Sequence, residues 1–284
     1  MMMEWKQVLD KLGTYRTHAE RSVRPYVEIT AHAGATAPWM SKFGGSAYMA
    51  AGQTYPLDAA GKPMRLLAQI NLAELPRLDL FPESGLLQFF IAASDDLHGL
   101  SFDDPCDQRN FKVTYVPEAA LADALTGAAD SAEPATQAAD EAGREAAAQA
   151  DSTDGDFPLA RELALSLARK DAAVSSADYQ FERFFGEEPF AFFEQFGDEE
   201  TELSDAYADA CSGIGHKIGG YAFFTQSDPR EGRYEDYEVL LLQIDSDHDN
   251  GIMWGDSGVA NFFIRPADLQ NRDFSKVLYN WDCY

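Results

Sequence analysis

The sequence predicts an α+β fold made of two pseudo-symmetric, mostly antiparallel β-rich halves from an internal duplication, with flanking helices. Three observations carry this. Three blocks recur in one order: Lys42-Phe43-Gly44-Gly45 returns as Lys217-Ile218-Gly219-Gly220, Leu66 to Asn71 as Leu240 to Asp245, and Glu83 to Ile91 as Asp256 to Ile264. The separation between copies is nearly the same for every block, the mark of a repeated half-domain. Most apolar runs are also of strand length, and they lack the regular βαβ alternation of a parallel sheet.

The elements follow in order. Trp5, Val8, Leu9 and Leu12 recur at helical spacing within 3–20, and Gly13 breaks the run. Tyr26 to Thr30 alternates and is β-branched, hence a strand. Gly44-Gly45 is a turn, because glycine alone enters positive φ without strain. Leu66 to Asn71 is apolar enough for a strand buried on both faces, Leu72 to Pro76 is a short helical turn stopped by proline, and Gly85 to Ala92 is a second strand. Phe111 to Val116 alternates as a half-solvated strand, and Pro117 ends it.

Residues 118–156 differ in kind. They carry fifteen Ala and ten Asp or Glu against one Arg. Such a stretch buries too little to offset its ordering entropy, so a disordered or loosely helical insertion is expected. Leu159, Leu163 and Leu167 predict a helix over 158–170, and the aromatics of 179–196 predict core helices. Thr201 to Cys211 is a further helix. The second half then contributes strands at Ala222–Thr225, Tyr237–Ile244, Gly258–Ile264 and Lys276–Trp281. The expected plan is one domain: half one at 22–117, the acidic insertion at 118–156, a helical connector at 157–211 and half two at 212–284.

Composition bounds the partners. A formal net charge of -26 disfavours nucleic acid and anionic membrane surfaces, which need clustered Lys and Arg. It suits a basic protein partner. Cys106, Cys211 and Cys283 form no CxxC pair, so a reduced, cytoplasmic compartment is expected. No signal peptide and no membrane span are expected.

Candidate chemistry is sparse. Gly213-x-Gly215 before Gly219-Gly220 follows a helix and lacks the Gly-Lys-Ser/Thr ending of a phosphate loop. Asp245, Asp247 and Asp249 alternate as in a calcium loop, with Asp256 at the twelfth place, but Asn250 occupies the glycine position. Calcium is therefore one possibility for this loop, and an acidic turn before Asn250-Gly251 the other. The five histidines form no HxxxH pair, and Ser84 and Ser257 lie in repeated acid-Ser-Gly turns where a nucleophile is not required. Gln69 and Gln243 stand inside apolar runs, so each either satisfies backbone groups or lines a shared cleft. Gln69, Gln243, Trp254, Asp256 and Ser257 are the candidate ligand-binding residues. No catalytic constellation is recognisable, and a non-catalytic binding or protein-interaction module is expected. An enzyme or sensor with a polar, calcium-assisted cleft is the alternative.

At the same blocks the chain resembles the YwqG-like family, a bacterial domain-of-unknown-function family. The motifs are Lys42-Phe43-Gly44-Gly45, Leu67-Ala68-Gln69-Ile70-Asn71, Gly85 to Phe90 and Val113-Thr114-Tyr115. In the second half they are His216 to Tyr221, Leu241 to Asp245, Met253 to Gly258 and Trp281-Asp282-Cys283-Tyr284. The resemblance covers about 35–284, departs from the family at 118–156, and implies a single α+β domain with internally related halves. It implies no catalytic residue.

Overall fold

The computed structural model describes residues 3–92, 96–121 and 157–284. Ten strands in them form one sheet: β1 Arg24–His32, β2 Lys42–Phe43, β3 Arg65–Asn71, β4 Leu86–Ile91, β5 Phe111–Val116, β6 Leu163–Ala172, β7 His216–Gly219, β8 Val239–Asp245, β9 Val259–Ile264 and β10 Leu278–Asp282. Their order is β10-β9-β8-β7-β1-β6-β2-β3-β4-β5, and the pairings are antiparallel. The seam is β1 against β6, in register from Arg24↔Ala172 to His32↔Ala164. On its other side β1 pairs with β7, and β6 pairs with β2. The first strand of the chain therefore joins the later strands, and β6 joins the earlier ones.

The sheet rolls until its two ends meet through side chains. Phe89 of β4 faces Phe262 of β9 with ring centres 5.0 Å apart, and Phe111 of β5 lies 5.1 Å from Tyr279 of β10. The β4–β5 connection seals the gap: the Tyr279 hydroxyl donates to the His98 carbonyl, and Trp281 Nε1 donates to that of Leu97. Residues from the middle and both ends of the sheet, with Trp254 from the β8–β9 connection, make one apolar core that includes Ile29, Phe43, Ile70 and Ile244. β4 and β9 are buried at every position because their other faces are covered too, Leu86 beside Tyr48, Phe90 beside Tyr55 and Phe263 beside Phe224.

A second core is helical. Helices α1 Trp5–Leu12, α2 Arg16–Ser22, α3 Phe181–Phe185, α4 Pro189–Glu194 and α5 Glu200–Ala210 pack Val8, Leu9, Phe181, Phe185, Phe192 and Tyr207 together. Of the aromatics of 179–196, Phe181, Phe185, Phe192 and Phe193 are thus core, Phe184 and Phe196 pack at its edge, and Phe190 is exposed. Arg230 fastens the stretch before α3 to the loop ahead of β8: its buried guanidinium pairs with Asp178 at 2.8 Å and Asp228 at 2.7 Å.

Two expectations are corrected. Residues 163–172 form strand β6, not a helix within a helical connector, because Leu163, Leu165 and Leu167 also have period two and β1 offers a full-length partner. Ala222–Thr225 is not a strand. The Phe223 N–H and carbonyl are held by the side chains of Gln243 and Asn261, and the Thr225 N–H by Asp282, so no ladder is needed. The glycine turns are as expected: Gly44, Gly45, Gly219 and Gly220 have φ between 65° and 75°. The expectation for 118–156 lies, from residue 122 on, outside the described residues.

Candidate functional site

The polar groups that gather are at the ends of β1 and β8 and the start of β7. Asp245 closes β8 with its carboxylate turned inward, where it accepts the N–H groups of Gly215 and Ser246, each at 2.8 Å. Its own N–H donates to His216 Nδ1 at 3.0 Å. In the neutral ring the proton therefore sits on Nε2, which points at Asp247 Oδ2, 3.7 Å away. Asp247 caps the turn 248–250, taking the Asn250 side-chain amide at 2.7 Å, and Asn250 also donates to the Ala31 carbonyl of β1 at 3.0 Å. These bonds frame a cleft of about 300 Å³ lined by Tyr26, Glu28, Thr30, Ile214, His216 and Asp247, among others.

Its electrostatics follow from burial. Burial pushes the Asp245 carboxyl up, offset in part by the hydrogen bonds it accepts. Burial pushes the His216 imidazole down despite Asp245 and Asp247 beside it. At Asp247 burial opposes the charge, but Asn250 outweighs it and holds the carboxyl below the usual carboxylate range. Behind the cleft, burial lowers the Lys217 ammonium to about 8. That ammonium meets the Tyr221 carbonyl at 3.5 Å and the Tyr26 ring. On the apolar side Ile214 is 61% exposed. The cleft is thus an acidic concavity with an aliphatic wall and a neutral imidazole.

The candidates read from sequence fall in several places. Gln69 and Gln243 are fully buried, with four strands between theirs, so they do not share a cleft. Gln69 accepts from the Tyr48 N–H and Gln88 and donates to the Pro38 and Met40 carbonyls. Gln243 accepts from the Phe223 N–H and donates to the carbonyls of Gly213 and Gly215. Each amide thus pins the loops bordering its own Gly-Gly turn. Trp254 is buried against His98 and Trp281, with no hydrogen bond on its indole nitrogen. Asp256 is exposed. Ser257, at φ 57°, places Oγ 3.4 Å from His248 Nε2. Asp245 and Asp247 border the cleft, while Asp249 is exposed on the turn. The Asp245 and Asp247 oxygens accept backbone and Asn250 N–H groups, which is the acidic-turn arrangement that stood beside calcium as the alternative reading. Among the described residues no three His, Cys, Asp or Glu side chains could hold a metal ion.

Sequence reasoning passed over His216, Asn250, Glu28 and Ile214. A signal was present at one of these, His216. His216 precedes the repeated Lys-x-Gly-Gly block where the first copy has Ser41, and its partner Asp245 replaces Asn71.

Fold and site together define a mostly antiparallel ten-stranded sheet with flanking helices and an acidic cleft. Residues 41–283 match the family described as Domain of unknown function (DUF1963), most of the chain, and the protein belongs to that family. No curated protein matches the chain. Among the described residues no helix is long and apolar enough to cross a membrane.

Proposed function

We propose that the protein is a non-catalytic binding module whose cleft takes a cationic group from a basic protein partner. One observation carries this: Asp247 and Asp245 border a concave space whose own imidazole is held neutral, and their hydrogen bonds from backbone and Asn250 N–H groups leave their negative charge in place. Glu28, paired to Lys170 at 2.7 Å, is on its rim, and the exposed aliphatic Ile214 lies beside it. A guanidinium or ammonium at the end of an alkyl stem fits both features. The net charge of -26 would speed its arrival. The test is calorimetric titration with N-acetyl-arginine amide at low ionic strength. Saturable heat that Asp247→Asn removes and added salt weakens is expected. No heat from the wild-type protein rejects the proposal.

We further propose that the domain consists of two strand-exchanged copies of one half, as its YwqG-like motifs suggest. Contacts support this. A methyl on Gly45 would strike Glu162, and one on Gly220 would strike Tyr26. Lys42 of β2 faces Ala164, and Lys217 of β7 faces Glu28. Glu162 and Ala164 follow their counterparts Tyr26 and Glu28 at one and the same sequence offset.

A sensor or enzyme is the second possibility, favoured by the opposed displacements of Asp245 and His216 within one cleft. A thermal-shift response to a neutral metabolite, abolished by His216→Gln, would support it over the binding module.

A further inference from the structure

The cleft holds a group whose hydrogen bond excludes its own charge. His216 opens β7 and is 7% exposed. Its Nδ1 accepts the Asp245 N–H at 3.0 Å, and a backbone N–H can only donate. A proton added at Nδ1 would stand donor against donor, so the charged ring and the bond at the end of β8 exclude each other. The first block shows what the joint itself requires. There Ser41 Oγ accepts the matching Asn71 N–H at 2.9 Å. An acceptor is needed, and a titratable one is not.

The groups around the ring set how it answers a proton. Asp245 of β8 and Asp247 of the following turn, with Oδ2 3.7 Å from Nε2, both favour the charged ring. From β2 the Phe43 ring meets it edge-on at 5.2 Å, while Lys42 of that strand is turned to Glu162. Glu28 of β1 is paired with Lys170, and the Lys217 ammonium, next in β7, lies over the Tyr26 ring. Burial outweighs the two aspartates and pushes the imidazole down, so it gains its proton on the acid side of about 6.5, the ordinary histidine value.

We propose that His216 is an acid-release switch for the cationic group bound in the cleft, a regulation that rests on the binding function proposed for that cleft. Neutral, the ring holds the end of β8 and leaves the charge of Asp245 and Asp247 to the ligand. Protonated, it sets its own cation beside Asp247 and lets go of the Asp245 N–H. The ligand then loses its charge partner and a fixed wall together. Proton and ligand compete, and by linkage the bound ligand makes the ring harder to protonate.

The test uses the full chain with EDTA present. Calorimetric titration with N-acetyl-arginine amide should show affinity falling about threefold from about pH 7.5 to about pH 5. Proton–carbon NMR of the His216 ring should show its titration midpoint moved to lower pH by saturating ligand. Without ligand, protection of the Asp245 amide against hydrogen exchange should fall as that ring titrates. In His216→Ser, which keeps a hydroxyl acceptor as in the first block, the pH dependence of affinity should shrink to less than about half. Binding that is equally tight across this range overturns the switch and leaves the cleft's binding function standing, whereas no binding at any pH overturns both. A ring midpoint that saturating ligand does not move overturns the switch even if affinity falls, since protonation of Asp245 would then account for the loss. A full fall in affinity in a folded His216→Ser protein overturns it as well.

Discussion

Replacing Gln69 by leucine separates a structural amide from a ligand-binding one. The side chain is fully buried, and leucine nearly matches its volume, so the cavity contribution is small. The loss comes from partners left behind. The Tyr48 N–H, 2.9 Å from Oε1, loses its acceptor in a buried setting, at about 2 kcal/mol. The Pro38 and Met40 carbonyls lose donors at 2.8 and 3.0 Å, but both residues lie near the surface and regain water, at about 1 kcal/mol each. Gln88 keeps the Tyr48 carbonyl at 2.6 Å and adds little. The sum is about 4 kcal/mol for Gln69→Leu and about 3 kcal/mol for Gln243→Leu. The three partners of Gln243 each count about 1 kcal/mol because Phe223, unlike Tyr48, is only half-buried and its N–H regains water. Urea denaturation followed by circular dichroism measures both. A loss below about 1 kcal/mol in either variant would refute the reasoning, because the loops would then hold without the amide.

Other outcomes are expected on the same grounds. Arg230→Ala leaves the buried Asp178 and Asp228 unpaired and should lose about 3–5 kcal/mol in urea denaturation. Combining Arg230→Met with Asp178→Asn and Asp228→Asn should recover most of that, since the caps on Gln180 and Tyr179 survive without charge; a triple variant no better than Arg230→Ala contradicts the account. Lys217 is lowered to about 8 by burial, so between about 8 and its ordinary value the unfolded chain holds more protons and stability rises with pH. Lys217→Met should therefore be more stable than wild type at pH 7 and flatten that rise, and an unchanged slope between pH 8 and 10 would count against it.

The strands of the repeated blocks were legible because each is short, apolar and bounded by glycine, a pattern that local sequence sets by itself. β6 was not, since leucines at 159, 163 and 167 satisfy a helix as well as a strand. What decides is the nine-residue β1, far away in sequence. Ala222–Thr225 failed for the opposite reason. Its strand propensity is real, but Gln243 and Asn261 occupy the backbone groups a ladder would use. Gln69 and Gln243 were visible as anomalies, and their roles were not, because hydrogen-bond direction is a property of the folded loops. The calcium spacing reads residue order alone, whereas the engagement of the Asp245 and Asp247 oxygens with neighbouring N–H groups is a property of the folded turn.

The cleft is the place where matching positions of the two blocks diverge chemically while keeping one bond. In the first block Ser41 Oγ accepts the Asn71 N–H at 2.9 Å. In the second, His216 Nδ1 accepts the Asp245 N–H at 3.0 Å. The bond holds the end of the strand in both, so packing alone does not demand a histidine and an aspartate. The neighbouring lysines diverge in the same way. Lys42 has the Glu162 carboxylate at 3.5 Å, whereas Lys217 faces the Tyr26 ring, and its ammonium is shifted down. Neutral or paired groups in one block are thus matched in the other by titratable groups that resist burial. Burying such groups costs stability that the first block avoids with the same backbone geometry. A costlier chemistry at the matching position is the reason the proposed binding reading looks to the second block.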